Sequence, residues 1–315
     1  MPARGPAFAS GGRLHHCPAR CRCPPPQDCA GGWSPPRRAG QGRGRRVSPK
    51  VCLVGIDGLR LDIARGSGQM PTLEAVIADG VFNELQMEVP TLSGPGWSTL
   101  LTGRPHADHQ VKDNHFVGHA LLHCPDLLSQ AYFADQSTTT LAAAGWPPLV
   151  DPSGTGPVIW ERREQQRSGQ HRVIARDGET YGYKLVDAEI AEHAVAGISG
   201  YGPDASFIYF CDADDEGHVY GPHTPEYAAA MGRVDNHLAR IQSAIRHRVE
   251  VLGEDWILVL TTDHGHRDEG GHGGDSQVER TSFVAATRFG GSLADWPTQL
   301  TPGQLVPLLL SCLSA

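Results

Sequence analysis

The stretch WILVLTTDHGHRDEGGHGGD, Trp256–Asp275, decides how this chain is read. Its apolar start, Trp256–Leu260, predicts a buried strand. The remainder sets Asp263, His264, His266, Asp268, Glu269, His272 and Asp275 into one Gly-rich loop. In open α/β sheets chemistry gathers where strands give way to loops. An Asp-His pair at a strand end, with another His eight residues on, offers hard and borderline ligands to a divalent metal. The glycines allow the backbone to fold the second His back toward the first pair.

Working outward, Val51–Ile56 (VCLVGI) is a second continuous apolar run, as expected of a central parallel strand, and it ends in Asp57-Gly58. Ser206–Cys211 (SFIYFC) is a third; it runs into Asp212-Ala213-Asp214-Asp215-Glu216-Gly217-His218. Asp214 and His218, four apart with Gly217 relaxing the turn, can converge on one ion. So many acids in a short loop repel one another unless a cation is near. Ser93 stands between Pro90-Thr91 and Gly94-Pro95, just before a helix-like run, Trp97–Leu101. A hydroxyl there meets free backbone N–H groups and the positive end of the helix dipole, which suits a nucleophile and an N-cap alike. Asn114 follows 21 residues later; its amide can donate to a phosphoryl oxygen without adding charge.

The connecting segments set the fold class. Pro71–Ala78 reads as a short helix stopped by Gly80. Thr224-Pro225-Glu226 is a helix start, and Val234, Leu238, Ile241, Ile245 and Val249 continue it as a core stripe. Residues 181–198 carry helical spacing, whereas the rest of 115–200 reads as surface loops with a small cap at most. A strand, Ser282–Ala286, and a helix, Thr301–Leu313, close the chain. Strand and helix in alternation predict an α/β fold with a mostly parallel sheet.

Charge divides the chain. Residues 1–50 hold ten Lys and Arg and one acid, Asp28, whereas the remainder carries a net charge of −17. Residues 1–49 are read as a disordered basic Pro/Gly/Arg-rich tail, or as a gene-model artefact with the true start near Val47. Cys17, Cys21, Cys23 and Cys29 fit no common zinc module. Without aromatic interleaving beyond Trp33, no nucleic-acid partner is expected. Cys52, Cys124, Cys211 and Cys312 are scattered and read as free thiols of a reducing compartment. No apolar run is long enough to span a bilayer and no signal peptide is recognised, so the expectation is a cytoplasmic protein with one catalytic domain over 50–315 and at most a small insertion around 116–200.

Asp57, Asp214, His218, Asp263, His264 and His272 make six ligands at strand ends, enough for two metals in three-and-three array. Two metals ~4 Å apart clamp the attacking and leaving oxygens of an in-line displacement at phosphorus. The motifs VGIDG at 54–58, PTLSGPGWSTLLTG at 90–103, DADDEGHVYGP at 212–222, TTDHG at 261–265 and GGHGGD at 270–275 occur in the order found in one group of enzymes. On these motifs the chain resembles the alkaline phosphatase superfamily, most of all its type I phosphodiesterase/nucleotide pyrophosphatase branch. The resemblance implies a three-layer alkaline phosphatase-like fold, its mostly parallel central sheet flanked by helices. It implies one zinc ion on Asp57, Ser93, Asp263 and His264, and a second on Asp214, His218 and His272; other divalent metals would suit the same donors. It implies a phosphoserine intermediate on Ser93, and Asn114 as a phosphate contact that favours diesters. The expected substrate is a small phosphate ester. A phosphomonoesterase, a phosphonate hydrolase and a non-catalytic binding protein on the same fold are the alternatives.

Four departures qualify the resemblance. Gly96-Trp97 stands where the branch has Asn-His, Ser93 where it more often has Thr, and His266 where it has Met. The last His motif follows TTDHG after a few residues only, which is similar to the GPI ethanolamine-phosphate transferases. Those are membrane proteins, and transfer is not expected here in the absence of an apolar span. His266 is expected to support the site rather than ligate.

Overall fold

The computed structural model describes residues 48–315. Residues 1–47, with the cysteines at 17, 21, 23 and 29, lie outside the described residues. The elements that position the site run β1 (Lys50–Ile56), α1 (Pro71–Asp79), β2 (Val81–Gln86), α2 (Ser93–Thr102), β3 (Thr140–Ala144) and β4 (His171–Ala175). They continue with α3 (Tyr183–Ala196), β5 (Ala205–Phe210), α4 (Asp212–Tyr220), α5 (Pro225–Leu252), β6 (Trp256–Thr261), β7 (Thr281–Phe289) and α6 (Leu305–Leu313).

Seven strands form one sheet in the order β2-β7-β6-β1-β5-β3-β4. The run from β6 to β4 is parallel throughout, and β7 pairs antiparallel with both β6 and β2. The apolar runs explain the centre. In β1, Val51 and Leu53 enter one core while Cys52, Val54 and Ile56 enter the other, so the strand is buried on both faces. Trp97, Leu100 and Leu101 of α2 and Leu305, Val306 and Leu309 of α6 cover the first face. Residues of α1, α3 and α5 cover the second, giving three layers.

The long helix α5 follows its signals closely. Thr224 caps it by accepting from Tyr227 N–H, Pro225 opens it, and Gly253 ends it in the left-handed conformation. Val234, Leu238, Ile241 and Ile245 are wholly buried, each worth roughly 1.5–3 kcal/mol of hydrophobic stabilisation.

Three local readings differ from the sequence expectation. Residues 212–218 form the first turns of α4, so Asp214 and His218 stand one helical turn apart rather than on a loop. The acids are tolerated because they crowd the positive end of the helix. In addition, Arg233 grips Asp212 with two hydrogen bonds, and the buried Asp187 accepts the Cys211 and Asp212 N–H groups, both at 2.8 Å. Ser93 is the first residue of α2 and not its cap; Leu92 stands at the cap position without a side-chain bond. Finally, the stretch read as surface loops supplies β3 and β4, whose five-residue runs were too short and too mixed with Ala, His and Arg to announce themselves. Among the described residues no helix is long and apolar enough to cross a membrane. Cys52, Cys124, Cys211 and Cys312 are free.

Candidate active site

The parallel neighbours β5, β1 and β6 end level with one another, Ile56 opposite Phe210 and Gly55 opposite Thr261. Each strand therefore delivers its acidic motif to the same edge: Asp57 after β1, Asp214 after β5, Asp263 and His264 after β6. The loop after β6 then doubles back. Gly270, Gly271 and Gly273 all have positive φ, which L side chains rarely adopt. Thr91 fastens the returning loop, donating to Gly274 O and accepting from Gly273 N–H. As a result the His264 and His272 rings stack with centroids 3.6 Å apart.

One group of donors is Asp57, Asp263 and His264, all without solvent exposure. His264 Nε2 lies 3.3 Å from Asp57 Oδ1 and 3.2 Å from Asp263 Oδ2. Ser93 Oγ lies 3.2 Å from His264 Nε2 and 3.4 Å from Asp57 Oδ1. The second group centres on Asp214. His218 Nε2 is 3.5 Å from Asp214 Oδ2, His272 Nε2 is 3.6 Å from Oδ1, and the two imidazole nitrogens are 2.9 Å apart. His266 joins this group as well, because its ligand atom and those of Asp214 and His218 all lie within 4.8 Å of one another. All seven residues expected as metal ligands are thus brought to one edge.

The electrostatics fit a cation. Burial, together with Asp214, pushes the Asp57 carboxyl up to about 7 against the donations from Tyr209 and Trp97. Burial, then Asp57 and Asp214, raises Asp263 well above the carboxylate range. Burial also opposes ionisation of Asp214, yet the His266 hydrogen bond and the neighbouring imidazoles hold it below that range. Burial lowers the pKa of His264 and His272, which favours the neutral form that ligates. Asp263 Oδ2 is buried without a hydrogen-bond partner. Donor separations of 3.2–3.4 Å are also the edges of a tetrahedron with bonds of ~2.0–2.1 Å, as zinc makes to nitrogen and oxygen. The residues therefore fit a divalent metal, whose positive charge would let all three carboxylates ionise together.

Beside the cluster opens a cavity of about 210 Å³ lined by Ser93, Asn114, His218 and His272. Asn114 Oδ1 accepts from Gly94 N–H at 2.8 Å, which leaves its amide N–H groups for the cavity. The cavity is also lined by Trp146, Glu179, Tyr183 and Asp215, and no lysine or arginine is among its lining residues. Nothing in the sequence announced these residues: Trp146 and Glu179 come from the segment read as loops, and Tyr183 from a stretch read only as a packing helix. Trp97 and Tyr209 were also missed. Both donate to Asp57 Oδ2, at 2.8 and 2.5 Å, and orient the carboxylate so that Oδ1 faces Ser93. The one signal for Trp97 was its place a helical turn after Ser93.

Comparisons with known proteins agree with this geometry. Residues 51–280 match the family described as type I phosphodiesterase / nucleotide pyrophosphatase. The chain is 36% identical over 283 residues to the GPI ethanolamine phosphate transferase 3 catalytic subunit of Homo sapiens, covering 82% of this chain and 24% of that protein. It thus spans about a quarter of that relative's length. Among solved structures it is similar to human ectonucleotide pyrophosphatase/phosphodiesterase 5, with a TM-score of 0.57 at 16% identity, over 84% of this chain and 95% of that one. A 2-O GAG sulfatase gives a TM-score of 0.61 at 16% identity, over 85% and 71% of the two chains. These structural likenesses speak to the fold.

Proposed function

The chain belongs to the type I phosphodiesterase/nucleotide pyrophosphatase family, and from that premise we propose that it is a metal-dependent enzyme that cleaves phosphate esters, diesters by preference, through Ser93. The observation that carries the reading is Ser93 Oγ. It sits at the head of α2 and in the cavity wall, 3.2 Å from His264 Nε2 and 3.4 Å from Asp57 Oδ1.

Asp57, Asp263, His264 and Ser93 would hold one zinc ion, and Asp214, His218 and His272 the other. The chemistry the ions supply when bound is Lewis acidity, which favours the serine alkoxide and neutralises phosphoryl oxygens. Ser93 Oγ then attacks phosphorus, the ester oxygen leaves, and a phosphoserine forms. Asn114 donates to a non-bridging oxygen. Because that donor is neutral, it suits the single charge of a diester better than the double charge of a monoester. Water attacking the phosphoserine restores Ser93 and releases phosphate or its remaining monoester.

A second reading is transfer, in which an acceptor hydroxyl replaces that water. Two observations favour giving it weight. The relative above is an ethanolamine phosphate transferase by name. The cavity is also smaller than the roughly 300–1,000 Å³ of sites for drug-sized ligands, and its wall carries Glu179 and Asp215. A compact phosphoryl head group bearing an amine fits that wall better than a nucleotide does.

The test is a rate comparison on bis-p-nitrophenyl phosphate and p-nitrophenyl phosphate, with zinc supplied and then chelated. Zinc-dependent release that is faster from the diester and abolished in Ser93→Ala is the expected result. Faster release from the monoester would favour a phosphatase. Repeating the assay with added alcohol separates the two readings, since transfer diverts product to the alkyl phosphoester. No zinc-dependent release from either ester would leave a phosphonate substrate or a non-catalytic protein.

A further inference from the structure

His266 has no part in the chemistry so far, yet it is wholly buried against Asp214. Its slot is made by two glycines. A Cβ on Gly58 would come within 2.6 Å of His266 Nε2, and one on Gly217 within 2.8 Å. Arg60 fixes the backbone beneath the ring, donating to His266 O at 2.8 Å.

The tautomers distinguish this histidine from its neighbours. His272 Nδ1 lies 2.7 Å from Thr91 O and His264 Nδ1 lies 3.2 Å from Gly265 O. In both, a backbone carbonyl takes the Nδ1 proton and leaves the Nε2 lone pair facing the cluster, the usual arrangement of a ligating histidine. His266 is the reverse. Its Nδ1 has no partner, and its Nε2 lies 2.8 Å from Asp214 Oδ1. The proton therefore sits on Nε2 and is donated to the carboxylate, so that nitrogen has no lone pair for a metal.

We propose that His266 is a positioning residue for the second metal site, its bond to Asp214 Oδ1 fixing the carboxylate between His218 and His272. The proposal rests on the two-metal reading above. A thioether at this position would fill the slot but donate nothing. An imidazole locks the carboxylate's rotation before any metal arrives.

The test is a titration of the metal-stripped protein with Zn²⁺ against a chromophoric chelator, and with Co²⁺ followed by its visible absorption. The wild type, His266→Met and His266→Gln are compared; the Gln amide nitrogen can occupy the place of Nε2 and donate. The expected result is two sites in every protein, with the weaker site's dissociation constant raised about tenfold or more in His266→Met. His266→Gln stays within about threefold of the wild type, and the tighter site is unchanged throughout. Rescue by Gln is the outcome a purely space-filling role would not produce. Loss of a whole site in both variants would make His266 a ligand and overturn the proposal. Equal affinities in all three proteins would overturn it too. A wild type that binds no metal would overturn this proposal and the metal reading together, so the two failures are distinguishable.

Discussion

Trp97 donates its indole N–H to Asp57 Oδ2 at 2.8 Å from a point one turn beyond Ser93 on the same helix. The nucleophile and the group that aims a neighbouring carboxylate thus share one rigid element. Trp97→Phe keeps an aromatic ring in the core and removes the donor. Tyr209 alone would then hold Asp57, and metal affinity at the site of Asp57, Asp263 and His264 should fall about tenfold with the fold retained. Chelator competition on the purified variant measures this, and unchanged affinity would mean that the Tyr209 bond suffices.

The same indole explains a glycine. A Cβ on Gly55 would lie 2.3 Å from Trp97 Cη2 and 2.6 Å from Cζ3, so the carboxyl end of β1 has room for the ring only because no side chain is there. Gly55→Ala should destabilise the protein by about 1–3 kcal/mol through overpacking. Urea denaturation checks the figure. Combining it with Trp97→Leu should recover part of the loss, and simple additivity of the two substitutions would refute the contact as the cause.

How far the sequence was legible follows from the kind of signal each part carried. Strands β1, β5 and β6 were plain because burial on both faces writes an uninterrupted apolar run. The meeting of Asp57, Asp263 and His264 at one edge was readable because they stand just past the ends of those runs, and the return of His272 because glycines surround it. The helical state of Asp214 and His218 was hidden. An acid-rich run looks like a loop until the helix dipole, Asp187 and Arg233 are placed around it. Strands β3 and β4 and the wall of Trp146, Glu179 and Tyr183 were hidden for a different reason. Their partners lie far along the chain, and no local period records a cavity.

His171 gives the fold a pH dependence remote from the metal ligands. It opens β4 beside Thr140 and Arg162, and burial, then the Arg162 guanidinium, lowers its pKa to about 3. The unfolded chain protonates this group near 6.5 and the folded one does not. Its contribution to stability is therefore present above about 6.5 and is lost as pH falls toward about 3, at up to ~1.4 kcal/mol per pH unit. His109, lowered to about 4 mainly by burial, adds a slope of the same sign. Denaturant midpoints between pH 7 and 4.5 should accordingly fall less steeply in His171→Asn than in the wild type. Parallel slopes would show that His171 is protonated in the native state.

Metal removal should destabilise the protein, and Asp263→Asn should reveal why. Asp57, Asp214 and Asp263 are buried at one edge of the sheet, and Asp263 Oδ2 has no hydrogen-bond partner there. A metal present at 100 times its dissociation constant adds about 2.7 kcal/mol by mass action. Without it, the wild type must either protonate these carboxyls or hold like charges together. Asp263→Asn removes one charge with almost no change of volume. The metal-free variant should therefore melt above the metal-free wild type, although it gains little from added zinc. With zinc the order should reverse. Melting curves of both proteins, with zinc and with a chelator, give four midpoints that test the crossing. A metal-free variant that melts below the metal-free wild type would mean that the Asp263 carboxyl is stabilising in its own right, and that the cluster is not held in deficit of a cation.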